Sequence, residues 1–405
     1  MILPQSSAPL AGDWGYDRPM TNVLDDFARD KLAAIEAATL TRRLKPTVRQ
    51  AGGGVRRGPS RLLSFCDNDY LGLSQHPALK RAAMDATERF GAGAGASRLV
   101  TGDNPLYQAL EARLARIKGT EAAIVFGSGY LANIGIIPTL VGADDLIVAD
   151  ELVHACLHAG ARLARAEILL FRHNDAEDCQ RLLGLARRNH RHCLILTEGV
   201  FSMDGDRAPV AALGAAARAH DAWLLVDDAH ALGVINGGRG SGFSDGERLP
   251  VELQMGTLSK AVGAYGGYLA ASRPVIELIV NRARSLIYTT ALPPGTLAAA
   301  EKGLELIESD PGLVAKPVAR ARAFTQALNL PAAESAIVPL ILGDEARALD
   351  AADRLAQRGF LVTAIRPPTV PDGSSRLRFT FSAEHREEDV AALAEAVRAL
   401  GLGAP

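Results

Sequence analysis

Lys260 lies in an unusual setting for a lysine, within the stretch GTLSKAVGAYGGYLAAS at 256–272. Its neighbours are small or apolar, and the adjacent glycines Gly266 and Gly267 follow closely. One interpretation is a lysine in a glycine-rich turn. The other is an amine kept out of bulk water, because burial lowers the pKa of a lysine and leaves part of it as a free nucleophile. The sequence around Lys260 does not choose between them.

A candidate acidic partner follows an apolar run in WLLVDDAHALG (223–233). Asp227 stands where the strand predicted over 223–226 ends, and ligands of open α/β sheets bind outside such carboxyl ends. His230 comes three residues later and could act together with that carboxylate. The alternative is that the acidic pair caps a following helix, a role that suits Asp228.

The stretch IVFGSGYLAN (124–133) reads as a strand, a Gly-Ser-Gly turn and a helix. Glycines let a backbone approach a ligand closely, and the free N–H groups of a helix N-terminus bind anions such as phosphate. The turn does not fit GxGxxG, because Ala132 occupies the last glycine position, and the lysine of a P-loop is missing. This argues against a dinucleotide or ATP site here.

Three further loops carry polar side chains that could face a ligand. They place Ser202 in TEGVFSMDGD (197–206), His154 in ADELVHACLHAG (149–160) and Ser97 in FGAGAGASRLVTG (90–102). Taken alone, His154 favours a structural role, and the loop that carries Ser97 is either merely flexible or lets the backbone approach a ligand. Together with the lysine, the strand-end aspartate and the phosphate-capable turn, they form the set that pyridoxal phosphate (PLP) requires: an amine for its aldehyde, a carboxylate for its pyridine nitrogen and donors for its phosphate.

The elements that would position these residues follow from a regular alternation in the middle of the chain. Short continuous apolar runs alternate with helix-length segments, which predicts βα units and a mainly parallel sheet covered on both faces. The runs are Ala122–Phe126, Leu146–Val148, Ile168–Phe171, Cys193–Thr197, Trp223–Val226, Leu253–Thr257 and Gly267–Ala271. They predict one large α/β domain with a seven-stranded sheet over 61–295.

The pattern changes after Pro293 and Pro294. Alanine- and leucine-rich helical segments flank strands predicted at 336–342 and 376–381, so we expect a smaller α+β domain over 296–405. Residues 1–60 are predicted to form a polar leader and a helix that packs with this small domain.

Composition excludes several classes of function. The chain has 405 residues, 48% of them hydrophobic, and a formal net charge of −2, which gives no general reason to expect nucleic-acid or membrane binding. Its four cysteines lack CxxC spacing, so neither a metal site nor a disulfide framework is expected. Free thiols favour a reducing, cytoplasmic location, and the N-terminus does not read as a signal peptide.

Six motifs identify a family resemblance that runs in order over 24–400. They are NDYLGLSQHP (68–77), GAGASRLVTG (93–102), TEGVFSMDGD (197–206), VDDAHALGV (226–234), TLSKAVGAYGGY (257–268) and AIRPPTVPDGSSRLRFT (364–380). In these the chain resembles the α-oxoamine synthases among the fold-type I PLP enzymes, and most closely those of biotin synthesis. The last motif most favours that branch.

This resemblance implies a decarboxylative condensation of L-alanine with pimeloyl-CoA or a pimeloyl carrier protein, in a homodimer whose subunits share each active site. Three alternatives stay open at this point. One is another α-oxoamine synthase, of the 2-amino-3-ketobutyrate CoA ligase, serine palmitoyltransferase or autoinducer synthase type. The others are a regulatory domain that has lost catalysis and a nucleotide-binding dehydrogenase.

The resemblance also implies roles for residues at matching motif positions. Lys260 would bind PLP covalently, Asp227 would pair with the pyridine nitrogen, and His154 would stack on the ring. His230 and Ser202 would contact the phenolic oxygen of the cofactor. The residues at the phosphate side would be Ser128, Gly129, Tyr130 and Thr257, with Thr290 reaching the phosphate of the neighbouring subunit.

Substrate contacts are implied in the same way. Asn68 and Arg378 would hold the carboxylate of the amino acid, with His154 beside them. Ser97 replaces the threonine typical of the glycine-using relatives, and its smaller side chain leaves room for alanine or serine. Thr369 would contact the acyl substrate, and Arg42 is a candidate partner for the acyl-chain carboxylate or CoA.

Overall fold

The computed structural model describes residues 23–38 and 40–402. The chain divides into a unit that ends at Lys45 and a unit that begins at Pro46. The α-helices are α1 (Val23–Ala37), α2 (Pro77–Phe90), α3 (Leu106–Lys118), α4 (Gly129–Leu140), α5 (Ala155–Ala164), α6 (Ala176–Ala186), α7 (Val210–Ala219), α8 (Arg273–Arg282), α9 (Arg284–Ile287), α10 (Pro294–Ser309), α11 (Pro311–Ala327), α12 (Glu345–Gln357) and α13 (Glu387–Ala399). Within the described ranges, no helix is both long enough and apolar enough to span a bilayer.

The strands alternate with these helices over most of the second unit. They are β1 (Val48–Arg49), β2 (Gly54–Arg57), β3 (Ser60–Ser64), β4 (Ala122–Phe126), β5 (Leu146–Asp150), β6 (Glu167–Phe171), β7 (Cys193–Glu198), β8 (Trp223–Asp227), β9 (Phe243–Ser244), β10 (Glu247–Arg248), β11 (Leu253–Thr257), β12 (Gly267–Ala271), β13 (Ile337–Gly343), β14 (Phe360–Leu361), β15 (Thr363–Ile365) and β16 (Ser375–Thr380).

A seven-stranded sheet lies within the second unit, in the order β4-β12-β11-β8-β7-β5-β6. Strand β12 runs antiparallel to both of its neighbours, and the other pairs are parallel. Every residue of β5, β7 and β11 is buried, as expected for strands covered on both faces. The predicted fold class and the seven-stranded, mainly parallel sheet are confirmed.

Alternate residues of each strand supply two different cores, because successive side chains point to opposite faces of a sheet. Ile147 and Leu194 pack in the cluster that includes α4, α5 and α8. Leu146 and Ile195 pack on the other face, in the cluster that includes α6 and α7. Burial on both faces fixes the register of the strands, since a slip by one residue would exchange the two sets of side chains.

The parallel strands end together at one edge of the sheet, and four of them end in a polar residue. These terminal residues are Asp150 of β5, Glu198 of β7, Asp227 of β8 and Thr257 of β11. Strand β8 lies between β7 and β11 in the sheet. Asp227 pairs with Glu198 on one side and with Met255 on the other, two residues before Thr257. This edge is where the ligand of an open α/β sheet is expected.

A separate core lies under the sheet β13-β16-β15 and includes residues of α11, α12 and α13. Phe65, just after β3, belongs to this core and accepts a hydrogen bond from Thr380 through its carbonyl at 2.8 Å. The strands predicted at 336–342 and 376–381 are present within one residue of those bounds. Helix α10 packs on α2 and α3, and the domain boundary near 295 stays a prediction.

Asp228 is not the helix cap that the sequence suggested, because no α-helix follows β8 until α8. Its carboxylate instead lies 2.5 Å from Nζ of Lys118, and both side chains are almost fully buried. The backbone N–H of Ser241 donates to the same carboxylate at 3.1 Å, and Lys118 also donates to the carbonyl of Arg239. The pair thus ties the loop after β8 to the end of α3.

We expect Lys118→Met to lower the free energy of unfolding by about 3–5 kcal/mol, because the carboxylate of Asp228 would remain buried without its partner. Denaturant titration with circular dichroism measures this loss. The matched control is Lys302→Met, which removes a more exposed ion pair with Glu305 and should cost less than about 1 kcal/mol. Equal losses in the two variants would contradict a structural role for the buried pair.

Candidate active site

A cavity of about 190 Å³ opens at the carboxyl edge of the large sheet. It collects eight of the residues predicted from the sequence, which are Ser128, Gly129, Tyr130, His154, Asp227, His230, Thr257 and Lys260. Five residues that sequence reasoning did not select complete its lining, namely Cys156, Glu198, Ala229, Met255 and Ser259. The cavity therefore joins residues from five separate segments of the chain.

Lys260 lies in the tight connection between β11 and β12. Gly263 in this connection has φ +76°, and a Cβ there would approach the backbone nitrogen of Ser74 to 2.5 Å, so the turn requires glycine. Nζ of Lys260 is 2.9 Å from Nε2 of His230. Burial lowers the pKa of Lys260, while the charges of Asp227 and Glu198 act in the opposite direction. The structure thus favours the interpretation of an amine withheld from bulk water.

Asp227 faces the cavity with two hydrogen bonds already in place. Its carboxylate accepts from Nδ2 of Asn133 at 2.8 Å and from the backbone N–H of Ala229 at 2.9 Å. Only 4% of the residue is exposed. An ionised carboxylate in a desolvated cavity favours a protonated partner, such as a pyridinium nitrogen or an ammonium group.

His230 is buried between Lys260 and Tyr70. Its Nδ1 lies 2.6 Å from the hydroxyl of Tyr70, on the side of the ring opposite Lys260. Burial, together with the charges of Lys260 and Arg378, lowers the pKa of His230 well below its usual value. Burial also raises the pKa of Tyr70 to about 12. Both groups are neutral at pH 7, so Lys260 has an uncharged hydrogen-bond partner.

Arg378, Asn68 and Ser202 lie together beside this pair. Nη2 of Arg378 donates to Oδ1 of Asn68 at 3.2 Å, and Nε donates to the backbone carbonyl of Ser202. The hydroxyl of Tyr70 is 3.3 Å from the same Oδ1 of Asn68, which connects this group to His230. The two residues predicted to hold a carboxylate are therefore adjacent, although neither lines the cavity itself.

The N-terminus of α4 forms another wall of the cavity. Ser128 caps this helix, since its hydroxyl accepts from the backbone N–H of Leu131 at 3.2 Å. Opposite lies Thr257, whose hydroxyl is 2.8 Å from that of Ser259. A Cβ at Gly129 would meet Met255 Cε at 3.3 Å, so glycine keeps the passage between helix and sheet open. Backbone N–H groups and hydroxyls of this kind suit a phosphate group.

Glu198 is a site residue that sequence reasoning missed. Its carboxyl group accepts from the backbone N–H of His154 at 2.6 Å. Burial raises the pKa of Glu198 to about 8, with the charge of Asp227 acting in the same direction and that of Lys260 against it. The available signal was its position at the end of the apolar run 193–197, the same signal that selected Asp227.

Like Asn68, Ser202 and Arg378, four more predicted residues lie outside the cavity lining. Ser97 and Thr290 face each other through an isolated antiparallel bridge between their backbones. Thr369 is exposed in the turn that follows Pro367 and Pro368. Arg42 is exposed in the unit that ends at Lys45. Their assigned roles in substrate and phosphate binding stay predictions.

His173 holds the loop that carries Ser202. Its ring nitrogens lie 3.0 Å from Asp150 and 2.8 Å from Asp206, and the ring packs edge-on against Phe201. Desolvation opposes protonation of the ring, but the hydrogen bonds to the two carboxylates outweigh it and raise the pKa of His173 to about 10. The charged imidazole therefore ties the loop to the end of β5 at neutral pH.

The stability contributed by His173 should depend on pH in a defined window. Because the folded state raises its pKa from 6.5 to about 10, the contribution is complete below about pH 6.5 and is lost as the pH rises through 10. We expect the difference in unfolding free energy between the native chain and His173→Gln to shrink over this window. Asp206→Asn removes one of the two carboxylates that raise the pKa of His173, so this variant should narrow the pH window. A difference that does not change with pH would contradict this interpretation.

The donor set of the cavity fits PLP. Lys260 supplies an amine for the aldehyde, Asp227 a carboxylate for the pyridine nitrogen, and the backbone N–H groups at the α4 N-terminus, with the hydroxyl of Ser259 nearby, the donors for a phosphate. The ring of His154 is exposed at the cavity wall, as a residue that stacks on a cofactor must be. Among the described residues, no group of three metal-ligating side chains competes with this assignment.

Comparison with known proteins agrees with this geometry. Residues 60–397 match the family model for aminotransferases of class I and II. The chain belongs to this family. The 8-amino-7-oxononanoate synthase of Methylocella silvestris is 62% identical over 344 residues, which cover 85% of this chain and 98% of that protein. The predicted resemblance to the α-oxoamine synthases is thereby confirmed.

Two solved structures show the same fold. Serine palmitoyltransferase from S. paucimobilis, which carries a PLP–myriocin aldimine, has a TM-score of 0.86 at 30% identity and covers 95% of this chain and 100% of its own. The 8-amino-7-oxononanoate synthase of Francisella tularensis has a TM-score of 0.69 at 26% identity and covers 84% and 99%. Class I/II membership therefore rests on sequence and structure together.

Proposed function

We propose that this chain is a PLP-dependent acyltransferase of biotin synthesis. It condenses L-alanine with a pimeloyl thioester, carried by CoA or by a carrier protein, and yields 8-amino-7-oxononanoate, CO2 and the free thiol of the carrier. The observation that carries this proposal is the cavity in which Lys260, Asp227 and His230 converge, in a chain 62% identical to a relative of that name.

PLP would be held by residues that already surround the cavity. Lys260 forms the covalent link, Asp227 pairs with the pyridine nitrogen, and the α4 N-terminus at Gly129 binds the phosphate. When bound, PLP supplies an electron-accepting ring that stabilises negative charge at the α-carbon of an amino acid. The carboxylate of Asp227 favours that property, because a nearby negative charge keeps the pyridine nitrogen protonated.

Lys260 is the base that the geometry provides. Burial lowers the pKa of Lys260, which raises the fraction of the amine that carries a free lone pair, and Nζ accepts the α-proton of alanine. His230 keeps Nζ in place through its 2.9 Å contact. Because burial lowers the pKa of His230, its imidazole is a weak base and does not take the α-proton from Lys260. The same ammonium group can return a proton once the new carbon–carbon bond is formed and CO2 has left.

Arg378 and Asn68 would orient the amino acid through its carboxylate. The guanidinium of Arg378 is almost fully buried and is anchored by Ser202 and Asn68, so it is fixed before substrate arrives. A fixed cation lowers the entropic cost of orientation. Ser97 leaves space for the methyl group of alanine, and Thr369 and Arg42 are assigned to the acyl substrate by family resemblance alone.

We also propose a cytoplasmic homodimer. The four cysteines are unpaired thiols in the structure, which suits a reducing compartment. Leu99, Val100 and Tyr288 expose 56%, 73% and 71% of their surfaces close in sequence to the bridged residues Ser97 and Thr290. Large apolar side chains exposed together are typical of subunit interfaces.

The direct test is mass spectrometry of the products from alanine and pimeloyl-CoA. The proposal predicts 8-amino-7-oxononanoate with equal amounts of CO2 and free CoA. A panel that pairs glycine, alanine and serine with acetyl-, pimeloyl- and palmitoyl-CoA separates the relatives, since each differs in acyl group or amino acid. Faster thiol release from serine and palmitoyl-CoA than from alanine and pimeloyl-CoA would contradict the assignment.

Lys260→Ala should lower kcat by roughly 10³-fold or more, because the variant loses both the covalent link to PLP and the base at the α-carbon. Release of CoA in the presence of alanine measures this loss. Lys80→Ala, which removes an exposed lysine of α2, is the matched control and should leave kcat unchanged. A Lys260 variant that turned over at the native rate would exclude this lysine from the reaction.

A further inference from the structure

Asn133 and Cys156 connect Asp227 to His154 across the floor of the cavity. Nδ2 of Asn133 donates to the carboxylate of Asp227 at 2.8 Å and to Sγ of Cys156 at 3.1 Å. Sγ in turn lies 2.9 Å from Nδ1 of His154. Asn133 is fully buried and Cys156 is 4% exposed. The four side chains form one continuous hydrogen-bonded series from the strand end to the cavity wall.

The direction of each hydrogen bond in this series is fixed by chemistry. The carboxylate of Asp227 only accepts, so the amide of Asn133 must turn its NH2 group toward it. Oδ1 of Asn133 is accordingly left buried without a partner among the described residues. The second N–H of the amide points at the sulfur of Cys156. Burial raises the pKa of Cys156 to about 12, so the sulfur keeps its proton and donates it onward.

Nδ1 of His154 must be the unprotonated ring nitrogen. His154 caps the N-terminus of α5, and the backbone N–H of Cys156 donates to Nδ1 at 3.2 Å. A backbone N–H is only a donor, so Nδ1 accepts, and a neutral ring then carries its proton on Nε2. The thiol of Cys156 donates to the same nitrogen, which further favours the tautomer with its proton on Nε2.

Several groups around His154 bear on its charge. Desolvation lowers its pKa, the charge of Lys260 and of His158 acts in the same direction, and that of Asp227 acts against them. Glu198 accepts from the backbone N–H of His154. The N-terminus of α5 also disfavours a positive charge. A protonated ring would have to give up both hydrogen bonds at Nδ1. The charge of Asp227 favours the protonated ring, whereas desolvation, the neighbouring positive charges, the helix N-terminus and these two hydrogen bonds favour the neutral one.

We propose that Asn133 and Cys156 are positioning residues that hold His154 as a neutral imidazole with its proton on Nε2. The ring then presents its Nε2–H donor to the cavity. Its orientation is set by the series of hydrogen bonds that begins at Asp227 and runs through Asn133 and Cys156. The kinetic consequence rests on the proposed function, whereas the protonation pattern of the ring does not. Neither residue touches the reacting atoms, and both act through His154.

The test compares Cys156→Ala with Cys156→Ser in the holoenzyme. Serine keeps a hydrogen-bond donor at nearly the same place, while alanine removes it. In protein with ¹⁵N-labelled histidine, the native chain and the serine variant should show His154 with an unprotonated Nδ1 and a protonated Nε2. The alanine variant should show an Nδ1 resonance shifted toward the protonated position, because only the backbone N–H remains. Loss of the signal in His154→Phe assigns it.

Turnover provides the second readout. Loss of one hydrogen bond corresponds to a decrease of roughly two- to tenfold in kcat for the alanine variant. The KM for pimeloyl-CoA should stay unchanged, and serine should restore kcat. Asn133→Leu, which removes both amide contacts, should resemble the alanine variant. The matched control is Cys179→Ala, a buried cysteine of α6 outside the cavity lining, which should change neither the spectrum nor kcat.

Two results would overturn the proposal. One is a native holoenzyme in which His154 carries its proton on Nδ1 or is charged at neutral pH. The other is a Cys156→Ala variant with the native spectrum and the native kcat. Absence of turnover by the native protein with alanine and pimeloyl-CoA would instead reject the proposed function, and the histidine spectrum would still decide the protonation pattern.

Discussion

The placing of one amine and two carboxyl groups around a poorly solvated cavity at the carboxyl edge of the sheet constrains the rest of the structure. Burial lowers the pKa of Lys260 and raises that of Glu198, and the charge of Asp227 raises the pKa of both groups. Burying such groups is costly unless they are hydrogen-bonded. His230 and Asn133 supply those bonds and leave the amine of Lys260 facing the cavity.

The fold supplies this arrangement through the geometry of parallel strands. Glu198, Asp227 and Thr257 end neighbouring strands and therefore meet at one edge without any loop having to place them. The loops beyond this edge are held by their own ion pairs. Lys118 anchors Asp228 immediately after the site, and His173 anchors the loop that carries Ser202. Polar clusters outside the cavity thus join the segments that carry residues of the site to their neighbours.

The sequence predicted the large sheet well, because continuous apolar runs such as 193–197 and 253–257 mark strands buried on both faces. It also selected Asp227 and Lys260, whose positions depend on local context and on motifs. It missed Glu198, although this residue ends an apolar run as Asp227 does. It missed Asn133 and Cys156 because the contacts of Asn133 with Cys156 and Asp227 join segments distant along the chain. The cap expected at Asp228 was wrong because its partner, Lys118, lies 110 residues away and carries no local signal.

The most direct test of the central claim is to find where PLP attaches to the chain. Borohydride reduction of the holoenzyme followed by peptide mass spectrometry locates the modified residue. The half-buried amine that contacts His230 should carry the cofactor, so a single modified peptide containing Lys260 is expected. An unmodified Lys260, with the cofactor on another lysine or absent, would contradict it.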